Sequence, residues 1–402
     1  MARQTFKISG TGCALVDYLY QPVCFTDEIF NRYISLQAGD GGLSPGKLVF
    51  KDEFEKFSGE DYLKVREQIT RGKPPVTLNI GGPSIVSLIH AAQMLVDSPA
   101  EIYFYGSKGC DEGAAFMDEQ LKKTPLKTGK YKSVDQFTSF TDVLSDPDYD
   151  HRHGERIFIN NIGAAWDFFP EDLDDAFFDS DVVVFGGTAL VPHIHQSLME
   201  LLQKAKEKKA VTIVNTVYDF LNEKANPDKA WHLGRSVETY KYIDILISDM
   251  EEALRLSGKQ TIDEALDFFK KTGAGAVIVT HGAHPVHYFA KGELFIAASG
   301  SKPVSEKVKN TPERAGDTTG CGDNFAGGVI ASVAKQLINQ PDQPVNLEEA
   351  IDLGVVSGGY ACFYHGGTFY EEYPGQKKEL MEPYHQYYLL QRNQKPKIEN
   401  QK

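Results

Sequence analysis

The residues with the clearest chemistry lie in the segment 317–328, whose sequence is DTTGCGDNFAGG. Gly320, Cys321 and Gly322 come just before a stretch with helical apolar periodicity, so their backbone N–H groups can point at one anion near the positive end of the helix dipole. Asp323 follows at the helix start, where the dipole stabilises a carboxylate and keeps it ionised at neutral pH. An ionised Asp beside an anion hole suits a general base acting on a hydroxyl that attacks a phosphoryl group.

The alternative to phosphate binding for this segment is an ordinary helix N-cap, because Asp is a favoured capping residue and glycine is common in turns. The string D-T-T-G-x-G-D nevertheless fixes six positions of the chain. Background residue frequencies put a chance match on the order of 10⁻⁵. The phosphate-binding interpretation is therefore favoured.

Two other glycine-containing segments match nucleotide-binding motifs less well. Residues 41–47, GGLSPGK, lack the Ser or Thr that would hold Mg²⁺ after the lysine, because Leu48 stands there. Residues 10–15, GTGCAL, begin like a dinucleotide fingerprint but lack its third glycine and an acidic residue about 20 positions further on. A P-loop enzyme and an oxidoreductase are the weaker interpretations.

The elements that must position these residues follow an α/β pattern. Short apolar runs rich in β-branched residues alternate with longer amphipathic stretches, which is typical of a parallel sheet covered by helices. The predicted strands are 6–8, 102–105, 182–185, 212–214, 245–247 and 277–280. The predicted helices are 84–95, 114–121, 194–208, 250–256, 262–271 and 324–337. The sequence thus predicts the α/β class.

Two segments interrupt this alternation. Residues from about 18 to 75 form a long, charged, glycine-containing insertion. Residues from about 136 to 162 alternate polar and apolar side chains around a polar turn, as a half-buried antiparallel hairpin would. We predict that the two segments form a lid. Residues 376–402 are predicted to be a C-terminal helix followed by a polar tail.

Composition narrows the classes of function. The 402 residues carry a formal net charge of -14, which argues against the clustered basic surface that nucleic acids require. The five cysteines include no C-x-x-C pair, which predicts neither a disulfide framework nor a structural metal and fits the cytoplasm. Because no apolar run approaches about 18 residues, no membrane segment is expected.

The motifs together give the chain a family resemblance: it resembles the PfkB, or ribokinase-like, sugar and nucleoside kinases. The family signature matches 317–323, usually with Ala where Cys321 stands. Further matches, in the family's order, are SGTGCALVD ending at Asp17, the pair Gly81 and Gly82 opening a helix, GSKGCD at 106–111, GER at 154–156 and T-x-G at 280–282. The resemblance covers roughly residues 6 to 370.

This resemblance implies a fold and a reaction. The expected fold is a ribokinase-like three-layer α/β/α sandwich with a predominantly parallel central sheet and a small β lid, in one kinase domain over residues 1–375. The expected reaction uses ATP and Mg²⁺ to phosphorylate a primary alcohol, and potassium is an expected activator in the manner of some members.

The resemblance also implies roles for single residues. Asp323 would be the general base, and Gly320, Cys321 and Gly322 would form the anion hole. The substrate would contact Asp17, Gly81 and Gly82, and the nucleotide would lie by Thr280, Gly282 and Gly328. The metal positions would be Glu251 for Mg²⁺ and Asp317 and Thr319 for K⁺.

Three positions depart from the family pattern. Val86 stands where the family usually has Asn after the glycine pair, and Ser248 replaces the Asn of N-x-x-E, whose Glu would be Glu251. Pro285, which has no N–H, replaces the second glycine of T-x-G-x-x-G. The long segment before Gly81 resembles the adenosine-kinase-like branch. Substrate, metal and nucleotide contacts are therefore expected to differ from those of compact ribokinases.

The sequence therefore predicts an ATP-dependent small-molecule kinase with a sugar as acceptor. A nucleoside kinase is the alternative within the same fold. A non-catalytic sensor of a sugar or nucleotide is the alternative from another class, and the intact Asp323 argues against it, because a sensor needs the pocket but not the base. A homodimer is compatible with the sequence, which leaves the oligomeric state open.

Overall fold

Two β-sheets organise the chain. The computed structural model describes residues 5–37, 39–311 and 318–393, and within them it has fourteen strands. They are β1 Phe6–Gly12, β2 Leu15–Tyr20, β3 Leu48–Phe50, β4 Thr77–Gly81, β5 Ala100–Lys108, β6 Lys127–Ser133, β7 Phe140–Asp146, β8 Glu155–Asn161, β9 Val182–Gly186, β10 Val211–Asn215, β11 Ile245–Asp249, β12 Ala276–His281, β13 His284–Ala290 and β14 Ala298–Lys302.

The α-helices of the same residues connect and cover these strands. They are α1 Glu28–Asn31, α2 Lys51–Ser58, α3 Tyr62–Thr70, α4 Pro83–Met94, α5 Glu112–Leu121, α6 Tyr149–Arg152, α7 Asp175–Phe178, α8 Pro192–Gln196, α9 Leu198–Glu207, α10 Phe220–Ala225, α11 Met250–Ser257, α12 Ile262–Thr272, α13 Glu306–Lys309, α14 Cys321–Asn339, α15 Leu347–Tyr360 and α16 Gln376–Asn393.

The larger sheet has nine strands in the order β14-β13-β12-β11-β10-β9-β1-β5-β6. The strands from β12 to β6 pair in parallel, and β13 and β14 add an antiparallel edge. Strand periodicity sends alternate side chains to the two faces. In β9, Val182 and Val184 join a core with α4, α14 and α15, whereas Val183 and Phe185 join a core with α9, α11 and α12. The result is the predicted three-layer α/β/α sandwich.

The smaller sheet has five strands in the order β3-β8-β7-β2-β4. One of its faces is covered by α2 and α3, whose Phe54, Tyr62 and Val65 pack with Tyr20 and Ile157 of the strands. The predicted hairpin is present, because β7 and β8 pair antiparallel from Phe140 to Asp146. The segment predicted as an insertion supplies β3, the second half of β2 and helices α1 to α3.

Several predicted bounds were wrong in detail. The predicted helix 194–208 is two helices, α8 and α9, because Ser197 leaves the helical conformation at φ -98° and ψ 13°. Helix α14 begins at Cys321, three residues earlier than predicted, with Gly320 as its N-cap. All six predicted strands are present and extend beyond their predicted bounds.

The C-terminal helix α16 packs closely on the rest of the chain. Met381 and Tyr388 are buried in the core that also holds α14 and α15. The polar tail beyond residue 393 lies outside the described residues. In the described part of the chain, no helix is long and apolar enough to cross a membrane.

Candidate active site

The first turn of α14 presents the predicted anion hole. Gly320 is the N-cap with φ 72°, a left-handed conformation that glycine adopts without strain, and Cys321, Gly322 and Asp323 are the first three helical residues. The first N–H groups of a helix have no acceptor within the helix, so this turn suits an anion. A Cβ on Gly322 would meet no atom within 4 Å, whereas a Cβ on Gly320 would clash with Gly367. The loop is therefore tightly packed at Gly320 and open at Gly322.

Asp323 is half-buried at the third helical position. Burial raises the pKa of its carboxyl group to about 6, which corrects the expectation that the helix dipole dominates its ionisation. The group is still mostly ionised at neutral pH. A carboxylate whose pKa lies closer to neutrality is a more effective general base than an ordinary aspartate.

A buried polar network holds this turn from behind. The Nδ2 atom of Asn324 donates to the carbonyl oxygens of Gly320 and Gly367, each at 2.8 Å. Lys377, in the first turn of α16, donates from Nζ to Asn324 Oδ1 at 2.8 Å and to the Tyr364 hydroxyl at 3.1 Å. Burial lowers the pKa of Lys377 to about 7. Sequence reasoning missed this lysine, because it lies in a segment predicted to be outside the kinase domain.

The three residues predicted to contact the substrate lie together. Asp17 is the third residue of β2, within the strand. A Cβ on Gly81 would clash with the Asp17 carboxylate, and a Cβ on Gly82 would lie 2.6 Å from the carbonyl oxygen of Cys13. The glycine pair thus lets β2 and the start of α4 approach closely.

Asp17 and Asp323 both act electrostatically on the Cys13 thiol. Burial raises the pKa of the Cys13 thiol, and the charges of Asp17 and then Asp323 raise it further. Both carboxylates therefore lie within electrostatic reach of Cys13, at the junction of β1 and β2. This places a predicted substrate residue near the predicted base.

Val86, which departs from the family pattern, supports the same region. It is buried, and a Cβ on Gly367 would lie 3.2 Å from Val86 Cγ2. Gly367 in turn packs against Gly320. An apolar side chain at position 86 therefore contacts the loop behind the anion hole.

The predicted metal residue Glu251 and its neighbour Glu252 have different surroundings. Glu251 is exposed, whereas Glu252 accepts a hydrogen bond from the Thr216 hydroxyl. Burial, then the charge of Asp249, and more weakly that of Asp323, raises the pKa of Glu252 to about 8. Asp249 and Glu252 repeat the N-x-x-E spacing one residue further on, with Asp in place of Asn. The Glu that lies near Asp323 is thus Glu252.

The donor set at this point fits Mg²⁺. Asp249 and Glu252 cap the first turn of α11 reciprocally, with Glu252 N–H donating to Asp249 Oδ1 at 2.8 Å. Mg²⁺ is usually bound by one or two carboxylates together with substrate phosphates. Among the described residues, no group of three or more His, Cys, Asp or Glu side chains that could hold a metal ion is present. Of the K⁺ positions, Asp317 lies outside the described residues and Thr319 directly precedes Gly320.

The predicted nucleotide residues separate into two groups. Thr280 pairs with Asp249 near the end of β12, and Gly282 lies in the open turn to β13, so both are at the same sheet edge as the carboxylate pair. Gly328 is buried in α14, where a Cβ would clash with the Ser357 hydroxyl of α15. The prediction for Gly328 was therefore wrong, because this glycine allows two helices to pack closely.

A small apolar cavity of about 10 Å³ adjoins the carboxyl ends of β1 and β5. It is lined by Gly12, Ala14, Phe104, Gly106, Ser107, Ala165, Phe168 and Val191. A cavity of this size holds about one water molecule. Ligands of open α/β sheets bind at this edge, outside the carboxyl ends of the strands, so the glycine pair and the first turn of α14 form the candidate site.

Comparisons with known proteins show the family of this chain. Residues 62–372 match the pfkB family of carbohydrate kinases. The adenosine kinase of Schizosaccharomyces pombe is 26% identical over 345 residues, which cover 80% of this chain and 91% of that protein.

Solved structures share the fold at lower identity. The adenosine kinase of Schistosoma mansoni in complex with 2-fluoroadenosine superimposes with a TM-score of 0.66 and 16% identity, covering 90% of this chain and 96% of that one. A probable sugar kinase from Rhizobium etli gives 0.67 and 15%, covering 95% and 100%. The ribokinase of Thermotoga maritima gives 0.60 and 18%, covering 94% and 99%. The fold is therefore ribokinase-like, and the chain belongs to the PfkB family of carbohydrate kinases, which are phosphotransferases.

Proposed function

We propose that this protein is an ATP-dependent kinase that phosphorylates the primary hydroxyl of a nucleoside. The observation that supports the proposal is that the charges of Asp17, the candidate substrate carboxylate, and Asp323, the candidate base, both act on the Cys13 thiol at the junction of β1 and β2. A nucleoside is proposed in place of the sugar predicted from the sequence because the Schizosaccharomyces pombe relative is an adenosine kinase.

The residues of the site divide the chemistry among them. Asp323 accepts the proton of the attacking hydroxyl, and its raised pKa of about 6 suits that step. The N–H groups at the start of α14 stabilise the negative charge on the transferring phosphoryl group. Asp249 and Glu252 would hold Mg²⁺, which supplies charge neutralisation on the ATP phosphates when bound.

The five-stranded sheet would serve as a lid over the acceptor. Its face opposite α2 and α3 carries Asp17, so closure of this sheet would exclude water from the reaction. Acceptor binding should then protect residues 18–75 and 136–162 from hydrogen exchange, whereas ATP alone should protect mainly 280–282. Unchanged exchange in both lid segments under saturating acceptor would contradict the lid.

The experiment that tests the function is an ADP-release assay with ATP, Mg²⁺ and a panel of acceptors. The panel holds purine and pyrimidine nucleosides together with ribose, fructose and other monosaccharides. We expect turnover with a nucleoside and much weaker turnover with any monosaccharide. Preferred turnover of a monosaccharide would restore the sugar kinase, and binding without ADP release for every acceptor would favour the sensor.

A further inference from the structure

Two cysteine side chains meet beside the anion hole. Cys321 is the first residue of α14, and Cys362 lies in the 3-10 turn Ala361–Phe363 that follows α15. Their Sγ atoms are 3.6 Å apart, although the two residues are 41 positions apart in the chain. A disulfide brings the sulfur atoms to about 2.05 Å, so bond formation needs an approach of about 1.5 Å. A small local shift is therefore enough to join the two thiols.

Both thiols are accessible, and one of them lies where a thiolate is stabilised. Each is half-buried, so small oxidants and reductants reach both from solvent. Cys321 lies at the N-terminus of a 19-residue helix, where the positive end of the helix dipole stabilises an anion. The thiolate is the form of cysteine that reacts with oxidants. We therefore expect Cys321 to be oxidised first and Cys362 to attack it afterwards.

The segment that carries Cys362 is held in place on both sides. Before it, α15 is buried against α14 in the larger core. After it, the Tyr364 hydroxyl donates to Asn324 Oδ1 at 3.1 Å and accepts from Lys377 Nζ at 3.1 Å. The 3-10 turn with Cys362 is therefore anchored to buried groups.

The first turn of α14 has more room to move. A Cβ on Gly358 of α15 would lie 2.8 Å from the carbonyl oxygen of Cys321, so the backbones of the two helices are already in contact there. A Cβ on Gly322 would meet no atom within 4 Å, so another side of the same turn is open. Joining the two sulfur atoms would therefore displace the first turn of α14, which carries the N–H groups of the anion hole.

We infer that Cys321 and Cys362 form a reversible disulfide that switches off phosphoryl transfer by displacing the anion hole. A displacement of about 1 Å in a catalytic group costs on the order of 100-fold in rate. The inference goes beyond the proposed function, because it applies to a sugar as well as to a nucleoside acceptor.

Hydrogen peroxide is the oxidant of this step. The Cys321 thiolate attacks the O–O bond and becomes a sulfenic acid, and the released hydroxide takes a proton and leaves as water. The Cys362 sulfur then attacks the sulfenic sulfur, which forms the S–S bond and releases a second water. Two thiols are thus oxidised to one disulfide while one peroxide is reduced to two waters. A dithiol reverses the step by thiol–disulfide exchange and is itself oxidised to a disulfide.

The test treats the purified wild type with hydrogen peroxide and follows two readouts. Mass spectrometry of a non-reducing digest should find a peptide pair that links Cys321 to Cys362. ADP release, with whichever acceptor supports turnover, should show that kcat falls by about 10-fold or more. Dithiothreitol should remove the linked peptide pair and restore kcat.

A variant of the second cysteine separates the disulfide from oxidation of Cys321 alone. Cys362→Ala should have the untreated activity of the wild type. After peroxide its Cys321 sulfenic acid has lost its resolving thiol, so further peroxide converts it to a sulfinic acid that dithiothreitol does not reduce. We therefore expect a loss of activity that is reversible in the wild type and irreversible in Cys362→Ala. Cys24→Ala, which removes an exposed cysteine elsewhere, is the matched control and should lose and regain activity as the wild type does.

Three results would overturn the inference. They are the absence of the linked peptide pair, an unchanged kcat in the linked protein, and recovery of Cys362→Ala by dithiothreitol to the extent seen in the wild type. Each of them leaves the proposed function intact, because the untreated wild type still releases ADP. Absence of turnover in the untreated wild type would contradict the proposed function instead, and the linked peptide pair would still show whether the disulfide forms.

Discussion

The Nζ atom of Lys377 lies 2.8 Å from the Oδ1 atom of Asn324, so the C-terminal helix reaches the residue that holds the start of the anion hole. The amide nitrogen of Asn324 donates to the carbonyl oxygens of Gly320 and Gly367. Its amide oxygen accepts from the Lys377 amino group and from the Tyr364 hydroxyl. The side chains of Asn324 and Lys377 are almost fully buried. The contacts of helix α16 therefore make it part of the same domain as the anion hole.

Removing the Lys377 amino group should loosen the anion hole. Lys377→Met leaves Asn324 Oδ1 with one donor fewer, and the loss of a buried hydrogen bond costs about 0.5–1.5 kcal/mol of stability. We expect kcat to fall by about 10-fold or more, because the N–H groups of α14 are less well positioned. Steady-state ADP release and urea unfolding measure the two effects. The neighbouring Lys378→Met, which removes an ion pair with Asp97 at the surface, should leave both close to wild type.

The same lysine predicts a pH dependence of stability. Burial lowers the pKa of Lys377 to about 7 in the folded state, so between pH 7 and pH 10 the unfolded chain binds a proton that the folded chain has released. Stability from this group therefore rises with pH across that window, with a slope of up to about 1.4 kcal/mol per pH unit. The free energy of unfolding of the wild type relative to Lys377→Met should increase from pH 7 to pH 9. A difference that is constant over this range would show that Lys377 keeps its ordinary pKa.

The two glycines of the anion hole should respond differently to substitution. Gly320→Ala places a methyl group against Gly367 at a residue with φ 72°, so it should lower both the melting temperature and the activity. Gly322→Val adds a side chain where no atom lies within 4 Å, so it should abolish turnover by blocking the phosphoryl group while the melting temperature changes little. Full activity in Gly322→Val would remove the first turn of α14 from the reaction.

The register of the metal site can be tested with two adjacent glutamates. Glu252→Gln should raise the Mg²⁺ concentration needed for half-maximal activity about 10-fold or more, because a buried carboxylate ligand is lost. Glu251→Gln, at the exposed neighbour, is the matched control and should resemble the wild type. A larger effect at Glu251 than at Glu252 would restore the register expected from the sequence.

The sequence predicted the frame of the fold because strand and helix periodicities differ. The runs that became β9, β10 and β11 are continuous and β-branched, as strands buried on both faces must be, and these strands lie where they were predicted. The break between α8 and α9 was missed, because a single Ser between two amphipathic stretches gives no signal. The early start of α14 was missed because glycines weaken a helix prediction.

The candidate site was predicted in part. The string at 317–323 marks the anion hole, since few segments combine glycines and an aspartate in that order. Glu252 was missed because one-residue register shifts are invisible without the side-chain contacts that bury one glutamate and expose its neighbour. Lys377 lies far from Asn324 in the chain, and periodicity does not report a contact between such residues.

Asp323 should also set the pH dependence of catalysis. Its pKa is raised to about 6, so kcat/KM should fall as the pH drops below about 6 and the base becomes protonated. At a pH below the pKa of the unfolded chain, the carboxyl group is protonated in both states and does not lower the stability. As the pH rises from there through 6, the unfolded chain ionises more readily than the buried group, so the free energy of unfolding decreases. Asp323→Asn, which cannot ionise, should therefore be at least as stable as the wild type at pH 7, so a loss of activity cannot be attributed to unfolding.

The most direct test measures the rate of ADP release by Asp323→Asn. The assay contains saturating ATP, Mg²⁺ and the best nucleoside acceptor at pH 7.5. With the general base removed and the anion hole left in place, kcat should fall by about 10² to 10⁴ while the dissociation constant for ATP changes little. Turnover close to that of the wild type would contradict the assignment of Asp323 as the base, and with it the catalytic account of this site.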